Sequence, residues 1–137
     1  MMSVDFFGCK REQILTATWD DAFERFPAAG ITVPDLSAFT SLSESLRAPA
    51  FSATRVPMTV VPYYQLCEEF TAVIRKADTE ELKDAAATWA QLPPWDGLNA
   101  NAMDLAGFLL HLHSLVSGPQ NDGNAIFMCL ESEELSA

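Results

Sequence analysis

The stretch Asn101–Ser117 constrains the fold of this chain more than any other. Read at about 100° per residue, Leu105, Ala106, Leu109, Leu112, His113 and Val116 fall on one side. Phe108 and Leu115 widen that arc on one flank, Met103 and Leu110 on the other. Only Asp104, Gly107, His111 and Ser114 are left as a narrow polar strip. A helix that is apolar almost all round has neighbours on several sides, so the rest of the chain is expected to surround this one.

Candidates for that surround are amphipathic. Lys10–Phe26 places Ile14, Leu15, Thr18, Trp19, Ala22, Phe23 and Phe26 at helical spacing and stops at Pro27 and Gly30. Ile31-Thr32-Val33 leads into Pro34, a residue suited to the first turn of a helix that carries Leu36, Phe39, Leu42 and Leu46. Ala48–Val56 reads as a loop, and Pro57 and Pro62 argue against a central strand between them. Pro62–Lys76 is the clearest amphipathic helix, with Tyr63, Leu66, Cys67, Phe70, Val73, Ile74 and Ala77 on one side. Asp78 followed three residues later by Glu81 is capping-box logic for a helix over Thr79–Gln91, its inner side Leu82, Ala85, Ala86 and Trp89. Pro93-Pro94-Trp95-Asp96-Gly97 is a turn by composition, and Asn101 and Asp104 offer a cap for the next helix. Gly118-Pro119 ends that helix, and Asp122-Gly123 marks a tight turn beyond it. Ala125–Leu130 is a continuous apolar run that reads as a strand, with Val4–Phe7 as its candidate partner.

The expectation is therefore a mainly α protein: one bundle of about five helices packed round a buried C-terminal helix, with at most a small two-stranded β element. It occupies residues 1–130, and 131–137 form an acidic tail.

Charge narrows function. The net charge is −11, from 19 acidic and 8 basic residues. Sparse Lys and Arg argue against nucleic acid and anionic membranes, both of which require clustered cations. The same charge favours a basic partner. The longest apolar run is too short to span a bilayer, the N-terminus lacks the pattern of a secretory signal, and Cys9, Cys67 and Cys129 are widely spaced, so a reducing, cytoplasmic setting is expected.

Chemistry is harder to place. His111 and His113 point about 200° apart on a helix and cannot share a metal, and His113 reads as a core imidazole. The pairs Asp20-Asp21, Glu68-Glu69 and Glu80-Glu81 diverge by about 100° and look like solvated faces. No nucleophile elbow, phosphate loop or metal motif is present in the sequence, so neither an enzyme nor a cofactor nor a metal site is expected. Trp95 on a stiff turn is the residue type that dominates binding hot spots. Trp95 and Asp96, with the acidic faces at Glu68, Glu69, Glu80 and Glu81, form the expected partner-binding set.

This profile of a small, acidic chain without catalytic motifs resembles that of bacterial immunity proteins. It implies an antitoxin-like inhibitor that neutralises a basic toxin or enzyme by direct complex formation. The alternative is a helical regulatory or small-molecule-binding domain with an inter-helix pocket near His113, Tyr63 or Tyr64.

Overall fold

A computed structural model describes residues 2–132 except 60, 99, 119, 120 and 122, and leaves out the side chains of residues 19, 131 and 132. The expected tail 131–137, the Gly118-Pro119 stop, the Asp122-Gly123 turn and the position of Trp19 on its helix face fall wholly or partly outside the described residues.

The continuous apolar run near the C-terminus pairs with the N-terminal segment as expected, but the result is far more than a two-stranded element. Strand β1 (Met2–Cys9) lies between β2 (Ala28–Val33) and β5 (Ala125–Ser132). Beyond β5 come β4 (Tyr63–Leu66) and β3 (Ala53–Arg55), giving one antiparallel five-stranded sheet in the order β2-β1-β5-β4-β3. The fold is α+β. A mainly α bundle round a C-terminal helix is wrong: the sheet is the centre, and α6 (Ala102–Ser114) lies on it.

Both faces of β1, β5 and β4 pack against a core, which explains why β4 reads as part of a helix. Val4 and Phe6 of β1, Ile126 and Met128 of β5, Leu66 of β4 and Ala29 and Val33 of β2 face the main core. That core is completed by α3 (Ser37–Ser45), α4 (Glu68–Lys76), α5 (Thr79–Trp89) and α6. The opposite face carries Phe7, Cys9, Phe127, Cys129 and Tyr63 under Ile14, Ala17, Ala22 and Phe26. A strand buried on both sides loses its apolar–polar alternation and reads as an unbroken apolar run. A run of that kind cannot be told from a helix segment by periodicity. Tyr63 and Leu66 thus mimic an i, i+3 helical pair while pointing to opposite faces of β4.

The helix expected over Pro62–Lys76 therefore starts only at Glu68, after an extended Cys67. The helix expected over Lys10–Phe26 is two, α1 (Arg11–Ile14) and α2 (Trp19–Arg25). Thr18 breaks it by capping α2: its hydroxyl accepts from the Asp21 N–H, and the Asp21 carboxylate accepts in return from the Thr18 N–H. Ile31–Val33 belongs to β2, and α3 begins at Ser37 rather than at Pro34. The Ala48–Val56 loop contains β3.

Local signals elsewhere hold. Asp78 and Glu81 form the reciprocal box that starts α5, and the Asn101 side chain accepts from the Met103 N–H to start α6. One face of α6 is less apolar than its sequence implies in space, since Met103 is 82% exposed while Leu105, Phe108, Leu109 and Leu112 are buried.

The second core contains a titratable pair with a testable consequence. The Tyr63 hydroxyl donates to the carbonyls of Ala17 (3.3 Å) and Thr18 (3.1 Å), and burial pushes its pKa from 10.0 up to about 12. Burial likewise pushes the Cys9 thiol from 9.0 up to about 12, against the lowering effect of Arg25. Both groups hold their protons in the folded chain at a pH where the unfolded chain has lost them. Their contribution to stability is complete below about pH 9 and falls as pH rises toward 12. Urea unfolding is expected to weaken steadily across that window, and Tyr63→Phe should flatten the upper part of the decline. An unchanged alkaline profile in Tyr63→Phe contradicts the assignment.

Candidate functional site

Trp95 is held by a short 3-10 turn, Pro93–Trp95. The two prolines preset φ for the turn, the Trp95 N–H donates to the Leu92 carbonyl (3.1 Å), and the Asp96 N–H donates to the Pro93 carbonyl (2.9 Å). Gly97 then takes a φ of 76°, which a glycine adopts without strain. The indole is turned inward and is 6% exposed. It stands edge-on to Trp89, with ring centroids 5.4 Å apart, and Trp89 in turn donates its Nε1–H to the Ala38 carbonyl at 2.8 Å.

Trp95 Nε1 has no such acceptor. Among the described residues it is the one buried side-chain nitrogen or oxygen without a hydrogen-bond partner. Leaving a buried donor unpaired costs about 1–3 kcal/mol, and such groups require a physical explanation. The ring lines a cleft of about 320 Å³ between β2 and the start of α6. Gly30, Ile31 and Thr32 form one wall, and Asn101, Asp104 and Phe108 another.

The cleft is bounded by segments with unusual surfaces. Among the described residues, exposed Leu98 and Met103 lie on the segments that form it, and exposed Leu36 follows four residues after Thr32. Asp35, Asp96 and Asp104 are exposed on the same segments. Hydrogen bonds from the Ser37 side chain and backbone N–H hold the Asp35 carboxyl below its usual range, so it stays charged. No Lys or Arg lines the cleft.

The six residues expected to bind a partner do not form one surface. Trp95 and Asp96 are together, with Trp95 buried rather than displayed. Glu68 lies elsewhere, 3.3 Å from Arg75 at the rim of a depression of about 520 Å³ that also holds Lys10, Arg11 and Glu12. Glu69 is exposed in the first turn of α4. Glu80 is 4.0 Å from Lys83. Glu81 completes the α5 capping box and lines a groove of about 440 Å³ with Glu44, Asp84 and Arg47.

Sequence reasoning missed the gathering of cations. Lys10, Arg11, Arg25 and Arg75, four of the eight basic residues, line two adjoining depressions at the end of β1. Arg75 has a structural role there. It donates from Nε to the Val116 carbonyl (3.3 Å) and from an Nη to the Asn124 carbonyl (3.1 Å), tying the end of α6 to the approach to β5. A cation at a helix C-terminus also complements its dipole. These cations line other depressions, while Asp104 lines the cleft beside Trp95.

The remaining candidates are structural. His113 is half-buried with Nδ1 2.8 Å from the Ile74 carbonyl, and His111 is exposed. Neither His113 nor Tyr63 nor Tyr64 lines any of these depressions. The three cysteines are free thiols, and Cys9 is kept protonated by burial. Among the described residues no group of three His, Cys, Asp or Glu side chains is placed to hold a metal ion. No helix of the described residues is long and apolar enough to cross a membrane. Comparison with protein-family models, curated proteins and solved structures returned no match.

Proposed function

We propose that this chain is a protein-binding inhibitor of the immunity or antitoxin type, which neutralises a basic toxin or enzyme by forming a direct complex and is not itself a catalyst. It docks through the cleft beside Trp95. The observation that carries this reading is the Trp95 side chain in the wall of an open cleft, its buried Nε1–H left without an acceptor, on segments that also bear exposed Leu98 and Met103. Large aromatics in partly desolvated pockets, ringed by apolar and polar contacts, are the anchors of protein interfaces. Asp35, Asp96 and Asp104, in a chain of net charge −11, supply the field that steers a basic partner to that anchor. In this reading the protein works in the cytoplasm, where its thiols stay reduced.

The test is retention of a partner from the source cells by the tagged protein, followed by reconstitution of the purified pair. The partner should be basic, and its activity should fall to zero at stoichiometric complex. Asp96→Lys with Asp104→Lys should slow association about tenfold at low salt while leaving the melting temperature unchanged. Trp95→Phe removes the orphan donor, so the fold should be as stable as before or slightly more so, while dissociation speeds up. A partner that stays active in the complex, or binds all variants alike, removes the basis of the proposal.

A further inference from the structure

Resting on that reading, we infer that the partner enters as an extended strand which adds to the free edge of β2 and that this strand is basic.

β2 is the terminal strand of the sheet. Its register against β1 pairs Met2 with Val33 through to Phe7 with Ala28, and the Gly8 N–H donates to the Pro27 carbonyl opposite it at 3.1 Å. That bond sets the phase of the ladder. In an antiparallel pair, hydrogen-bonded and non-bonded positions alternate, so Ala29, Ile31 and Val33 direct their backbone groups toward β1. Ala28, Gly30 and Thr32 direct theirs outward. Gly30 and Thr32 are walls of the Trp95 cleft, so the outward backbone groups and the Trp95 side chain border the same space.

Folded proteins usually blunt an exposed strand edge with a charge, a proline, a bulge or sheer shortness. The opposite edge does this: β3 has three residues, among them exposed Arg55, and Pro57 follows. β2 does not. Its six residues Ala-Ala-Gly-Ile-Thr-Val, though flanked by Pro27 and Pro34, hold no charge and no proline, and they pair with β1 without a bulge. An edge of that kind is a template for strand addition, in which main-chain bonds supply affinity and alternate side-chain pockets supply specificity.

Charge selects the occupant. A second copy seated edge to edge would bring two chains of net charge −11 together, with Asp104 beside each contact. A strand carrying Lys or Arg on the side that faces α6 meets Asp104 instead.

The experiment is residue-resolved amide hydrogen exchange on the isotope-labelled chain. The probe is a synthetic peptide of about ten residues alternating valine and lysine. Bound peptide should slow exchange at Gly30 and Thr32 about tenfold or more and leave Ala29 and Ile31, already bonded to β1, unchanged. The same peptide N-methylated on alternate amides should give no protection. Thr32→Pro removes an outward N–H at an edge position that tolerates proline and should abolish protection with the circular dichroism spectrum retained; if that variant does not fold, the methylated peptide makes the same discrimination. Equal protection by a valine–threonine peptide overturns the basic occupant and the reading beneath it. No protection by either peptide at the highest soluble concentration overturns strand addition alone. Protection of Gly30 and Thr32 without peptide, rising with protein concentration alongside dimer in sedimentation, overturns the proposal in favour of a second copy.

Discussion

Trp89→Ala is expected to remove a large part of the chain's stability. Trp89 is fully buried, and its ring stands between Trp95, 5.4 Å away, and Phe108, 6.3 Å away. Truncating a buried Trp to Ala typically costs about 3–5 kcal/mol in lost transfer energy and residual cavity. Two further losses push this case to the upper end. The Ala38 carbonyl loses the 2.8 Å bond from Nε1 in the core, and Trp95 loses the ring that keeps it turned inward. Against a typical total stability of about 5–15 kcal/mol, that is a large share. Trp89→Phe keeps an aromatic ring but not the donor and should cost about 2 kcal/mol. Urea titration of both variants checks the prediction. A loss below about 2 kcal/mol for Trp89→Ala would mean that the α3–α5 junction can collapse round the cavity.

The second large effect comes from adding a single carbon. Gly8 sits on central strand β1 under the C-terminal end of α6, and a Cβ placed there would lie 2.5 Å from the Leu115 carbonyl oxygen and 2.7 Å from the Leu115 Cβ. Neither side has an easy way to yield. β1 is bonded to strands on both sides, and the end of α6 is tied by Arg75 to Val116 and by the Asn124 side chain to the Leu115 carbonyl. Gly8→Ala is expected to destabilise by about 3 kcal/mol, the upper part of the range for overpacking. Gly30→Ala is the internal control. Its Cβ would meet the Asp5 Oδ1 at 3.0 Å, the far end of a side chain rather than fixed backbone, so its cost should be well below that of Gly8→Ala. Thermal melts of the two variants should differ clearly, and equal melting temperatures would show that α6 can slide away from β1.

Both residues also mark the limit of reading this chain from its sequence. Trp89 belongs to the apolar side of a helix with a recognisable capping box, so its inward position is legible from residue spacing alone. Gly8 gives no local sign of its role, because what it must avoid is a carbonyl contributed by Leu115. The candidate site divides the same way. The Pro-Pro turn that carries Trp95 is legible from composition, but the sequence offers no means to choose between an indole displayed to a partner and one buried against Trp89. Packing chose burial, and in doing so left its N–H without an acceptor. The acidic pairs were legible as solvated, yet the sequence could not reveal that Glu68 faces Arg75 in a cationic corner while Asp104 borders the cleft beside Trp95.

What the sequence determined by itself is local: the caps at Asp78 and Asn101, the turn at Pro93–Trp95, the inner faces of α5 and α6, and the strong negative charge. Each of the structural features depends on residues within about one helical turn of one another. The pairing of the two terminal strands was legible too, but the other three strands of the sheet were settled only by tertiary structure. Val4 pairs with Leu130 on one side and with Ile31 on the other, and Tyr63 pairs with Cys129. Those pairings are chosen by burial on both faces at once. Double burial erases the alternation of β4 and makes that strand, which leads into α4, look like its first turn.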